Sequence, residues 1–355
     1  MPRTTIRTAL AAVLLGGGLL ASAAIGRSAL LERLSTAGSM AAAADRWLAT
    51  LAPEQTARAQ RPFDDPRRTD WHFIPKFERK GLQLREMTPA QAALALDLLR
   101  SAVSQAGYDK ARGIMELDEL LRIQEGTKAK NIRDPQRYFF TIFGKPSDRD
   151  PWALSVEGHH LSLNFAVREG RLVDSTPQFL GANPAVVRAG LPGLPPAGQR
   201  ILRDEETLAF ELVRSLDAAQ RARAVIAPES PKDIRAAGSP QPPADPPVGV
   251  RHGELSAAQR QILRKLIDAY CTAMVPEVAE ERLRLVEESS GGWDAIAFAW
   301  AGPLEPGIGH YYRVEGPTFS IEFVNVQPDA EGNPANHIHC VWRDRTGDFD
   351  LPATP

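Results

Sequence analysis

Two histidines one residue apart, His337 and His339, stand in Asn336-His337-Ile338-His339-Cys340-Val341-Trp342-Arg343-Asp344. Alternation of type along this run is that of a strand, so His337, His339, Val341 and Arg343 project one way and Ile338, Cys340 and Trp342 the other. The two imidazoles are then roughly 7 Å apart at the backbone, within reach of one metal ion. His160 and Glu322 are the candidates to complete the set. Three imidazoles and a carboxylate suit zinc, iron, manganese or copper, with geometry deciding among these divalent transition metals. An open coordination position would acidify bound water and let the ion act as a Lewis acid. In such a site Glu322 and Arg343 are the candidate catalytic groups, and Arg313, His310 and Asn164 the candidate contacts to substrate. Clustering supports the set, since five of the seven histidines (159, 160, 310, 337 and 339) fall in two strand-rich regions.

Two other readings use the same residues. In one, Arg343 and Arg313 hold an anionic group without a metal and a histidine serves as base. In the other, His337 and His339 are surface or hydrogen-bonding residues of the sheet. No glycine-rich phosphate loop, nucleophile elbow or helical His-Glu-x-x-His is present. With a net charge of −2 and a pI near 6.4, neither nucleic acid nor an anionic membrane surface is indicated as a partner. A small molecule or polymer fragment is the expected ligand, and nothing in the sequence sets an oligomeric state.

The strands that must position these groups are written twice. Val156-Glu157-Gly158-His159-His160-Leu161-Ser162-Leu163-Asn164-Phe165 returns as Val314-Glu315-Gly316-Pro317-Thr318-Phe319-Ser320-Ile321-Glu322-Phe323, with five identities in ten positions. Alternation puts His160, Ser162 and Asn164 on one face. It sends His159 with Leu161, Leu163 and Phe165 to the core face, as a hydrogen-bonded structural histidine. Glu322 stands where the first copy has Asn164. A polar strand face is either exposed or the floor of a cleft, and recurrence of Glu157 and Glu315 suggests a shared turn-holding role.

Helix signals repeat as well. Thr88-Pro89-Ala90-Gln91 and Ser256-Ala257-Ala258-Gln259 are capping patterns at an offset of 168 residues, against 158 for the Val-Glu-Gly openings. The first opens a helix expected to end at Gly107, with a second over 108–124. The later pair is expected from Ser256 past Tyr270 and over 276–288. Strands are expected over 138–143, 152–156, 159–167 and 295–300, a structured loop over 171–200, and a helix over 205–220. The fold class is therefore α+β, an internally duplicated helix-helix-antiparallel-sheet unit. Its divisions are a lead-in at 25–70, a first unit at 71–225, a proline-rich linker at 226–250 and a second unit at 251–355.

Arg3 and Arg7 precede an apolar run from Ala9 to Ala21 and the small residues Ser22-Ala23-Ala24. Residues 1–24 therefore read as a secretory signal peptide, the mature chain as periplasmic or secreted, and no membrane span is expected after cleavage. Cys271 and Cys340 are the two cysteines, compatible with one disulfide or with two buried thiols.

At Arg133-Asp134-Pro135, Pro151-Trp152, Gly158-His159-His160-Leu161-Ser162-Leu163-Asn164, Phe179-Leu180-Gly181-Ala182-Asn183-Pro184, His310-Tyr311-Tyr312-Arg313 and Asn336-His337-Ile338-His339 the chain resembles the domain-of-unknown-function 3500 family. The resemblance runs from about Trp71 to Phe349 and implies no particular activity. Members of that family continue past the counterpart of Asp348-Phe349 to a His-Tyr ending, where this sequence reads Leu351-Pro352-Ala353-Thr354-Pro355. The departure bears on any ligand drawn from that segment. The reading from sequence is an exported metal-dependent enzyme, hydrolytic or oxidative, with a non-catalytic ligand- or metal-binding protein as the alternative.

Overall fold

The computed structural model describes residues 36–126 and 131–353. The expected signal peptide lies outside the described residues. Among them, no helix is long and apolar enough to cross a membrane.

One mixed sheet carries the molecule. Its strands are β1 (Gln60–Arg61), β2 (Leu82–Gln83), β3 (Phe139–Phe143), β4 (Trp152–Gly158), β5 (Leu161–Arg168), β6 (Arg171–Asp174), β7 (Gln178–Ala182), β8 (Val225–Ala227), β9 (Val250–Arg251), β10 (Ala297–Ala301), β11 (His310–Glu315), β12 (Phe319–Asn325) and β13 (Ile338–Asp344). The order across it is β1-β3-β4-β5-β7-β13-β12-β11-β10-β8, with β2 beside β3, β6 beside β5 and β9 beside β10. The two outermost pairs, β1 with β3 and β8 with β10, are parallel, and the rest are antiparallel. The α+β class follows.

The helices are α1 (36–48), α2 (Pro53–Ala59), α3 (Pro89–Ala102), α4 (Gln105–Glu125), α5 (Arg203–Ser215), α6 (Ala218–Ala224), α7 (Ala257–Cys271) and α8 (Pro276–Glu288). Both expected capping boxes form: Thr88 Oγ1 accepts from Gln91 N–H, and Ser256 Oγ from Gln259 N–H, each at 3.3 Å. Gly107 does not end a helix. It lies in the first turn of α4, where a Cβ would come 2.2 Å from the Ala273 carbonyl oxygen, so it is a point of close helix approach. The same order of elements, from a helix and short edge strand through two long helices to an antiparallel run, appears on each side of residue 200.

Residues 171–200 are not a loop over the sheet. They contain β6 and β7, and β7 joins the two halves by pairing with β5 on one side and β13 on the other. Residues 205–220 divide between α5 and α6, with Asp217 capping the second.

Alternation sorts the strand side chains onto two faces. Ile338, Cys340 and Trp342 join the large core under the helices with Trp47, Phe140, Trp152 and Trp300. Val341 and Val324 join a smaller cluster on the other face, with Trp71, Phe73, Phe179, Ile234 and Phe349. Cys271 and Cys340 are both buried free thiols.

The polar positions of that second face are buried too, because chain covers them. The Trp71 indole donates to Ser239 O at 2.7 Å, and Arg343 donates to the same carbonyl at 2.9 Å. The proline-rich stretch is thereby fastened across the sheet, and its prolines suit an extended strap with few N–H groups to satisfy. Glu157 and Glu315 anchor the covering chain and do not hold turns. Glu157 lies 3.2 Å from Lys80, and Glu315 lies 2.6 Å from Arg235. Buried carboxylates of this kind need such partners.

Candidate metal centre

His159 and His160 form the two-residue turn between β4 and β5, and strand alternation therefore does not apply to them. His160 has φ of 61°, the left-handed region that a residue with a Cβ enters only when its surroundings hold it there. Its N–H donates to Phe73 O, and its carbonyl accepts from Gly181 N–H, both at 2.8 Å. The two rings stack with centroids 3.8 Å apart. His159 is thus beside His160 and not turned away into the core. It is hydrogen-bonded as expected, its Nδ1 lying 2.6 Å from Asp118 Oδ1, and Tyr138 Oη donates to the other carboxylate oxygen at 3.0 Å.

Glycine at position 181 lets His160 reach across the sheet. Gly181 is the ladder partner of His339, and its neighbour Leu180 pairs with Leu161. A Cβ at 181 would meet the His160 ring carbons at 3.0 Å and the Ile338 carbonyl oxygen at 2.8 Å. With none there, the His160 imidazole crosses over β7 to the pair from β13.

His337, just before β13, and His339 within it then complete a cluster. His337 Nε2 is 2.7 Å and His339 Nε2 3.2 Å from His160 Nε2, and the three candidate ligand atoms lie within 4.8 Å of one another. Four ligands around an ion at 2.0–2.1 Å would sit roughly 3.3 Å apart, so sub-ångström ring movements suffice to admit one.

The outer ring nitrogens of His339 and His337 have polar neighbours. His339 Nδ1 lies 2.9 Å from Asp233 Oδ1, and a carboxylate accepting Nδ1–H leaves the Nε2 lone pair for an ion. His337 Nδ1 is 3.4 Å from the Asn183 side-chain nitrogen, while Asn183 Oδ1 is buried without a partner. With that amide turned over, its oxygen accepts from His337 Nδ1–H and the Nε2 lone pair is left for an ion. Burial pushes His160 and His337 well below the ordinary histidine range, with the neighbouring histidines and Arg133 adding to the effect. Neutral imidazole is the form that ligates metal.

The rings open on a cavity of about 300 Å³ whose walls include Glu125, Arg133, His159, Asn183, Asp233 and Asp329. Arg133 is held by Glu125 at 2.8 Å. Among the described residues no carboxylate joins the three histidines. The arrangement could hold a metal ion with a coordination position left toward the cavity.

The other sequence candidates lie apart from this centre. Glu322 pairs with Val341, two positions along the ladder from His339. Its carboxylate accepts from Arg235 Nε and from Arg235 N–H, each at 3.0 Å, and from Tyr311 Oη at 2.7 Å. Arg343 is buried against Asp348 and the Trp71 ring, fastening the strap. Arg313 Nε lies 3.2 Å from Glu315. Asn164 accepts from Ser155 Oγ at 3.1 Å and donates to Pro177 O at 3.0 Å. His310 belongs to the helix side of the sheet, stacked on Trp300 with its Nδ1 2.8 Å from Ile308 O. Each is committed to internal structure.

Asp233, Asn183, Gly181 and Arg133 were not singled out from sequence as parts of the site. Asp233 sits among prolines with no pattern around it, and only the folded strap brings it to His339. Replacing it with alanine is expected to weaken metal binding about 10- to 100-fold, read by competition with a chromophoric chelator. Unchanged affinity would remove Asp233 from the centre.

A family model described as a protein of unknown function, DUF3500, matches residues 34–351. Among curated proteins nothing matches, and no solved structure matches either.

Proposed function

The chain belongs to the DUF3500 family, and we propose that it is an exported metal-dependent enzyme acting on a small molecule or polymer fragment. The observation that carries this reading is the convergence of three imidazole Nε2 atoms at a cavity with no protein carboxylate among them. Structural zinc sites are closed by four protein ligands, whereas catalytic ones keep a position for water or substrate. Three uncharged ligands also leave the ion its full charge, which most strongly acidifies bound water. Hydrolysis on zinc is the leading assignment. Iron, manganese or copper would turn the same position to oxidative chemistry.

The cobalt-loaded chain tests this. Azide is expected to change its visible spectrum by taking the open position. A spectrum indifferent to azide would instead support the alternative, a closed site that stores or binds metal without turnover. Export is proposed on the apolar run behind Arg3 and Arg7. A mature N-terminus found by mass spectrometry near residue 25 would support it, and an intact chain confined to the cytoplasm would count against it. In the same reading the two halves are one unit written twice, with the histidine turn the specialised feature of the first copy. The common order of elements supports this, and a profile comparison of the halves that found no mutual similarity would count against it.

A further inference from the structure

A second charged cavity belongs to neither the centre nor the strap. It has a volume of about 620 Å³, within the range of small-molecule sites, and lies on the other side of the 325–337 segment that carries His337. It shares no lining residue with the histidine cavity. One face of α5 forms a wall through Glu206, Phe210 and Arg214, spaced four residues apart. Val186 and Arg188 line it from the loop after β7, and Pro306 from the loop before β11.

Its charges are unevenly committed. Glu206 is fully occupied: Arg200 lies 2.6 Å from one oxygen, and Asn325 Nδ2 at 2.8 Å and His310 Nε2 at 3.2 Å serve the other. That buried carboxylate therefore adds no free charge to the cavity. Arg214 lies over the Phe210 ring at 4.9 Å and donates to Leu304 O at 2.9 Å through Nε. Arg188 is exposed and has no hydrogen bond or ion pair among the described residues. With the Arg200–Glu206 pair set aside, Arg188 and Arg214 line the cavity against the single uncommitted carboxylate of Glu211, around an apolar surface made by Phe210, Val186 and Pro306.

We propose that this cavity is a binding site for a small amphipathic anion, a flat apolar body bearing one carboxylate or sulfonate. The body lies against Phe210 and Val186. Arg188 takes the oxyanion, and a guanidinium that can present two N–H groups in parallel suits that geometry. The site is independent of whether the histidines bind a metal.

The test is a fluorescence titration of the full chain with anilinonaphthalene sulfonate, followed by displacement with benzoate. A single saturable class of dye site, emptied by benzoate, is expected. Arg188→Glu should weaken both probes by about tenfold or more, because a charge-assisted contact becomes a repulsion. Arg188 is exposed, so the variant is expected to fold, and circular dichroism checks it. Arg284→Glu, on the distant helix α8, should leave both affinities unchanged. Equal affinity in Arg188→Glu and wild type would overturn the proposal, as would the absence of saturable binding by either probe.

Discussion

Replacing His339 with alanine is expected to cut the zinc content of the purified chain from about one ion to a small fraction of one, with the fold retained. Structural zinc in small peptides is bound by roughly 10–16 kcal/mol shared among its ligands. Loss of one of three imidazoles should therefore cost about 4 kcal/mol, close to a thousandfold in Kd. His160→Ala and His337→Ala should behave alike if the three rings share an ion. Gly181→Val makes the sharper case because it replaces no ligand. Its side chain would occupy the space of the His160 ring, so metal should be lost although all three imidazoles remain. Elemental analysis beside circular dichroism reads both results. Wild-type metal content in His339→Ala would remove His339 from the ligand set, whereas no metal in the wild type would end the metal reading and pass attention to Arg133 and His159 as the polar groups of that cavity.

Much of the scaffold was legible because it is local. The capping boxes at Thr88 and Ser256, the helix at 276–288 and the alternation through His339, Val341 and Arg343 are each set by a few consecutive residues. What sequence could not supply was long-range. Strand β7 lies between Pro177 and Pro184, and that density of breakers reads as loop. Its strand state comes from β13, which begins at residue 338. Type and neighbours mark His160 as a candidate, but it occupies a turn, where strand alternation does not act. What brings it to His339 is the missing side chain at 181, a contact invisible without the register of three strands. Glu322 is not among the converging side chains for a related reason. A carboxylate on the right face is only half of the requirement, and the cation that claims it, Arg235, comes from the strap 87 residues away.

That claim is itself measurable, and its expected effect is large. Arg235→Met should destabilise the chain by about 3–5 kcal/mol, the usual cost of leaving a buried charge without its partner. Glu315 keeps Arg313 at 3.2 Å, but Glu322 would retain only uncharged partners, the backbone N–H of residue 235 and the Tyr311 hydroxyl. Glu322→Gln should cost much less, about 1–2 kcal/mol, because an amide oxygen still accepts from Arg235 or Tyr311. With both changes the stranded charge is gone, so the double variant should be more stable than Arg235→Met alone. A coupling of that sign from urea unfolding identifies the pair as mutually compensating. Metal content separates this role from ligation. The folded Glu322→Gln protein is expected to bind as much zinc as wild type, because its carboxylate is spent on the strap; a fall in zinc without a fall in stability would return Glu322 to the metal.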